Sequence, residues 1–63
     1  MTGICGWLKA QIKDEEEANA MYLKEARAPH TEELLPAVFE SIAVDEWKHR
    51  NLLKAIAERL NCE

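Results

Sequence analysis

Glu46 and His49 stand three residues apart in the segment DEWKH, and Glu15 opens the run EEEANAMY. On a helix, positions i and i+3 share a face, so Glu46 and His49 project together. They fall on the line of Ile42 and Leu53, as Glu15 falls on the line of Leu8, Ile12 and Tyr22. Those are the lines an amphipathic helix buries. A buried, uncompensated carboxylate costs several kcal/mol, so it must be protonated, paired with a base or bound to a cation. No Lys or Arg falls on either line near this level, and Lys24 and Lys48 face elsewhere. Carboxylate oxygens with an imidazole suit iron or manganese, with zinc as a substitute. The plainer reading is an E-x-x-H on a solvated stripe, or a satisfied core histidine. Against it, the three residues combine seam position, matched height and the lack of a basic partner.

The elements that position these residues are two helices. The first is expected over about residues 6–27, with a seam of Leu8, Ile12, Glu15, Asn19 (beside Ala18), Tyr22 and Ala26 in alternating steps of four and three. APHT, from Ala28 to Thr31, breaks the pattern. Pro29 biases Ala28 away from helix, and Thr31 is a good N-cap. The second helix is expected over about residues 32–61, with Glu32 and Glu33 in its first turn, where the helix dipole favours acids. Its seam reads Leu35, Phe39, Ile42, Glu46, His49, Leu53, Ile56 and Leu60. Pro36 removes a hydrogen-bond donor, which predicts a kink there or a helix start one residue earlier. At ~1.5 Å per residue, Glu15 and Glu46 each stand about 20 Å from the turn, so they meet across the hairpin.

A chain of 63 residues makes one small domain, residues 1–63. Such a domain is marginal alone and needs a disulfide, a metal or a partner subunit. A two-helix hairpin cannot cover its own apolar stripe. The expected fold is therefore all-α: an antiparallel hairpin that dimerises into a four-helix bundle with two-fold symmetry. Doubling the set places four carboxylates and two imidazoles at the bundle centre, and two divalent cations balance the four charges. A Glu from each of two helices plus Glu-x-x-His from each of the other two is the ligand set of dinuclear carboxylate sites in bundles.

Hydrophobic residues at 48% and charged ones at 32% describe a soluble chain. A net charge of −4 argues against nucleic acid as a partner. No apolar run approaches the ~20 residues of a membrane span. With no basic-then-apolar leader, a cytoplasmic location is expected. Cys5 and Cys62 lie near opposite chain ends, hence at one end of a hairpin. Free thiols are the expectation for a cytosolic protein, a bridge within or between subunits being the alternative, favoured if the source is a hyperthermophile.

EEEANAMY, with Ala three residues after Glu15 and Tyr seven after it, resembles the first metal-binding helix of rubrerythrin-like members of the ferritin superfamily. VFESIAVDEWKH from Val38 resembles their second, with its Phe, Ile-Ala and D-E-x-x-H. The resemblance runs from about Asp14 to Leu53, most of the chain. That family usually carries two such helix pairs per chain. With one pair, this sequence looks most similar to the encapsulated ferritins, half-size chains that complete the bundle by dimerising and oxidise ferrous iron at the interface. The resemblance implies Glu15, Glu46 and His49 as ligands of a dinuclear iron centre and Tyr22 as a hydrogen-bond partner of a ligand carboxylate. It implies Asp45 as an acceptor orienting an imidazole, and Asp14 and Glu17 as acids of an entry site. It also implies housing within a protein shell, although no docking tail follows Cys62 and Glu63. The cysteine pairs of full rubrerythrins, their built-in electron donor, are missing. Arg50 stands where a small residue is common.

Met21 and Trp47 lie off the seam, which predicts either a plain dimer or a ring-like higher oligomer. Trp7 reads as an end plug of the bundle and His30 as a solvated turn residue. The rival to the metal reading is a structural hairpin whose polar seam sets the register of a homodimer, as buried polar groups do in coiled coils.

Overall fold

A computed structural model describes residues 3–62. Met1, Thr2 and Glu63, the ends of the single-domain range, lie outside them. Two helices make up the fold, α1 over Ile4–Arg27 and α2 over Leu35–Arg59, packed as an antiparallel hairpin. There is no strand among the described residues. The hairpin measures 47 × 19 × 11 Å, a slab one helix thick.

α1 ends where expected. Ala28 turns to extended backbone before Pro29, and its N–H closes on Glu25 O. His30, expected in solvent, is instead half-buried. Its Nε2–H donates to Glu25 O at 2.6 Å, and its ring sits 5.5 Å from Phe39. The start of α2 corrects the expected boundary. Thr31, Glu32 and Glu33 stay in the turn, and the helix begins at Leu35 with Leu34 as its uncapped flank. Pro36 explains this, because a first helical turn tolerates proline while later turns do not. Glu32 instead accepts a hydrogen bond from Leu34 N through Oε1 at 3.2 Å.

The far end of α2 is closed by backbone geometry. Asn61 takes the left-handed conformation at φ 59°, which Asn tolerates better than most residues. Asn61 N–H then bonds Glu58 O, and Cys62 N–H bonds Ala57 O at 2.9 Å, the paired bonds of a Schellman ending. This reversal carries Cys62 back over the start of α1, where it is disulfide-bonded to Cys5 with Cα atoms 5.4 Å apart. The free-thiol expectation is thus corrected: the chain has no free cysteine.

The core between the helices is thin. Leu8, Ala43 and Ala57 are the fully buried apolar residues, and small side chains at two of these positions let the helices approach closely. Many large apolar side chains remain exposed, among them Ile4, Trp7, Val38, Ile56 and Leu60. At ~100° per residue, Val38, Ile42, His49, Ile56 and Leu60 share one flank of α2. Ile4, Trp7, Glu15 and Tyr22 lie on the flank of α1 that faces the same way. The slab therefore has one broad apolar face, which it does not cover itself.

Candidate metal centre

Glu15 comes from the middle of α1, and Glu46 and His49 from the middle of α2. Antiparallel packing sets them side by side, and one ligand-type atom of each lies within 4.8 Å of the others. His49 Nδ1 stands 3.6 Å from Glu15 Oε2, beyond a hydrogen bond. The Glu15 side chain is 22% exposed and that of His49 57%. The cluster thus runs from the helix interface out to the open apolar face.

Glu15 Oε2 is the atom that decides how this cluster reads. It is buried and has no hydrogen-bond partner, a state that natural structures rarely leave unexplained. The Glu46 carboxyl is held above its ordinary pKa, first by a hydrogen bond to Glu15, then by desolvation and by the Glu15 charge; Asp45 adds to this and His49 opposes it. With both acids ionised, two negative groups face each other across the helices. Two carboxylates and an imidazole with an orphaned oxygen between them fit a divalent cation of the iron, manganese or zinc type.

The remaining residues singled out by sequence lie apart from this cluster. Tyr22 packs its ring 6.1 Å from Phe39, and its hydroxyl makes no hydrogen bond among the described residues. Asp45 is exposed and lines an open groove with Ser41 and Lys48 on the outer side of α2. It forms no ion pair with His49 among the described residues. Asp14 and Glu17 are exposed on α1, and neither joins the cluster.

Arg50, off the seam, is the base nearest this level, and it does not pair with the cluster. Its Nε donates to Glu16 Oε2 at 3.0 Å, and its guanidinium lies 4.5 Å from the centre of the Trp47 ring. The base is therefore committed to Glu16 on the opposite face and leaves Glu15 unpaired. The signal was in the spacing: Glu16 and Arg50 each follow a cluster residue by one, so they meet one step around the wheel. Asn19, which its spacing places on the seam, donates its Nδ2–H to Ala43 O at 2.8 Å. Nothing in a helical period marks a bond to a backbone carbonyl of another helix.

No protein-family model, curated protein or solved structure matches this chain.

Proposed function

We propose that two hairpins pack through their apolar faces into a ferritin-like four-helix bundle, and that the paired clusters form a dinuclear iron site that oxidises Fe(II). The supporting observation is Glu15 Oε2, buried without a donor, beside Glu46 and His49 at the middle of an uncovered apolar face. Glu15, Glu46 and His49 of each subunit are the ligands on this reading. Ferrous iron is the substrate, and it passes an electron to dioxygen or a peroxide. The chain's own residues supply the negative charge that attracts the ion and the apolar surround that excludes bulk water. Tyr22 and Asp45 take up partners only in the assembled dimer, while Asp14 and Glu17 form an acidic approach from solvent. Assembly beyond the dimer into a ring, and housing in a protein shell, extend the same reading.

No helix among the described residues is long and apolar enough to cross a membrane. A cytoplasmic location fits the sequence, with one condition set by the Cys5–Cys62 bond: inside cells such bonds persist mainly in hyperthermophiles.

One observation favours a second reading. Glu15 and Glu46 face each other across the helices, and the raised pKa of Glu46 favours its neutral form there, which suits a register-setting seam. Metal titration separates the two. On the iron reading, Fe(II) or Mn(II) raises the melting temperature, because a ligand that binds only the folded state stabilises it. Absence of any shift, with no bound metal by elemental analysis, leaves the structural hairpin.

A further inference from the structure

Asn19 is half-buried between the helices. An apolar residue would pack that position without a polar group to satisfy, and asparagine is among the poorer helix formers. Its amide crosses to α2 and donates to Ala43 O at 2.8 Å. That carbonyl lies within α2, where it also accepts the N–H of Trp47 four residues on. The bond is thus a second demand on a carbonyl that is already satisfied, and backbone pairing does not require it.

Its position says what it does. Asn19 lies one helical turn beyond Glu15, and Ala43 lies one turn before Glu46. Because the helices are antiparallel, both steps lead toward the turn, so the bond spans the hairpin one layer away from the cluster. Ala43 has no exposed surface, so the bond lies in a layer where α1 covers α2 completely. Among the described residues the other side-chain hydrogen bond between helices is Arg50 to Glu16, on the opposite face at the cluster's own level. The turn and the Cys5–Cys62 bond exclude a slip of a whole residue, but a third of that step still moves a ligand by about 0.5 Å along the axis. Metal sites tolerate only about 0.2 Å in ligand distance.

We propose that Asn19 is a positioning residue for the cation site: its amide, held on Ala43 O, sets the register that brings Glu15 and Glu46 to one ion. This rests on the reading of Glu15, Glu46 and His49 as ligands. It predicts that affinity for metal and stability of the metal-free fold separate at this position. In Asn19→Leu the donor is lost at similar volume, while Ala43 O keeps its helical partner, so no orphaned group is created.

The test is titration of the full-length oxidised protein with Co(II), followed by its visible absorption, alongside melts of the metal-free protein. No free thiol competes for the ion. Asn19→Leu is expected to melt no lower than the parent, to bind Co(II) about tenfold more weakly and to show a shifted absorption band. Asn19→Gln, which retains an amide donor, is expected to lose less. Leu8→Val, a packing change near the disulfide end, is expected to lower the melting temperature and leave Co(II) affinity unchanged. Parent-like affinity and spectrum in Asn19→Leu overturn the positioning role alone. So does an equal loss of affinity in Leu8→Val, which makes the effect one of general loosening. Failure of the parent protein to bind Co(II), Mn(II) or Fe(II) overturns the metal reading, and the inference with it.

Discussion

Glu15 and Glu16 are neighbours on α1, and His49 and Arg50 are neighbours on α2, yet the two cross-helix pairs end differently. Glu16 and Arg50 close at 3.0 Å, with the guanidinium laid over Trp47. Glu15 and His49 stop at 3.6 Å, with a carboxylate oxygen left bare. One residue of offset turns a side chain by ~100°, enough to move a pair from one broad face of the slab to the other. On the charged face the hairpin completes its own electrostatics. On the apolar face it stops short, and on the proposed reading that is where a cation and a second subunit would supply what is missing.

Removing Glu46, which lies beside the open pair, is expected to have the largest effect. Glu46→Ala should lower Fe(II) oxidation to the rate of buffer alone, followed by ferric absorbance, while the metal-free dimer survives by size-exclusion chromatography. Glu16→Ala, one face away, should keep oxidation within about twofold of the parent. Parent-like oxidation in Glu46→Ala would remove the difference between the faces.

The disulfide affects both faces alike. Closing a loop with a sequence separation of 57 contributes about 4 kcal/mol on the chain-entropy account. Reduction by a dithiol, or Cys62→Ser, should therefore lower the denaturant midpoint strongly. If only metal binding changed while the fold stood, the bond would belong to one face after all.

A smaller effect comes from pH. Glu46 has a folded-state pKa raised above the ordinary carboxylate value. Its contribution to the metal-free fold is complete below that ordinary value and is lost as pH rises through the raised one. Melting temperature without metal should thus fall with rising pH across this window, and Glu46→Gln should flatten the slope. An unchanged slope in Glu46→Gln assigns the pH dependence to other acids. The smallest effect is expected on the closed face. Glu16→Gln removes a partly exposed ion pair, worth about 1 kcal/mol or less, with a loss that shrinks further in high salt.

The seam spacing was enough to pick out Glu15, Glu46 and His49, because helical period alone decides which residues share a face. It was also enough to place the end of α1 at Arg27, where Ala28-Pro29 stops any helix. The start of α2 was harder. Thr31 and Glu32 carry start signals, and Pro36 further on outranked them by restricting where the first turn can lie. The Arg50–Glu16 pair was legible in the same spacing, since each residue follows a cluster residue by one. The disulfide depended on Asn61, whose left-handed turn redirects the last residues; a helix run straight to residue 61 does not show it. Asn19 was legible as a seam position, but its bond was not, since the partner is a backbone atom that every sequence has.

The bond between Cys5 and Cys62 also changes what the turn is for. The helices are joined twice, by peptide through residues 28–34 and by sulfur at the far end. A protease cut in the turn would leave α1 and α2 as one molecule, each held at the other's effective concentration. The oxidised hairpin can thus be nicked without being separated, whereas the reduced one depends on an intact peptide chain for its two halves to find each other.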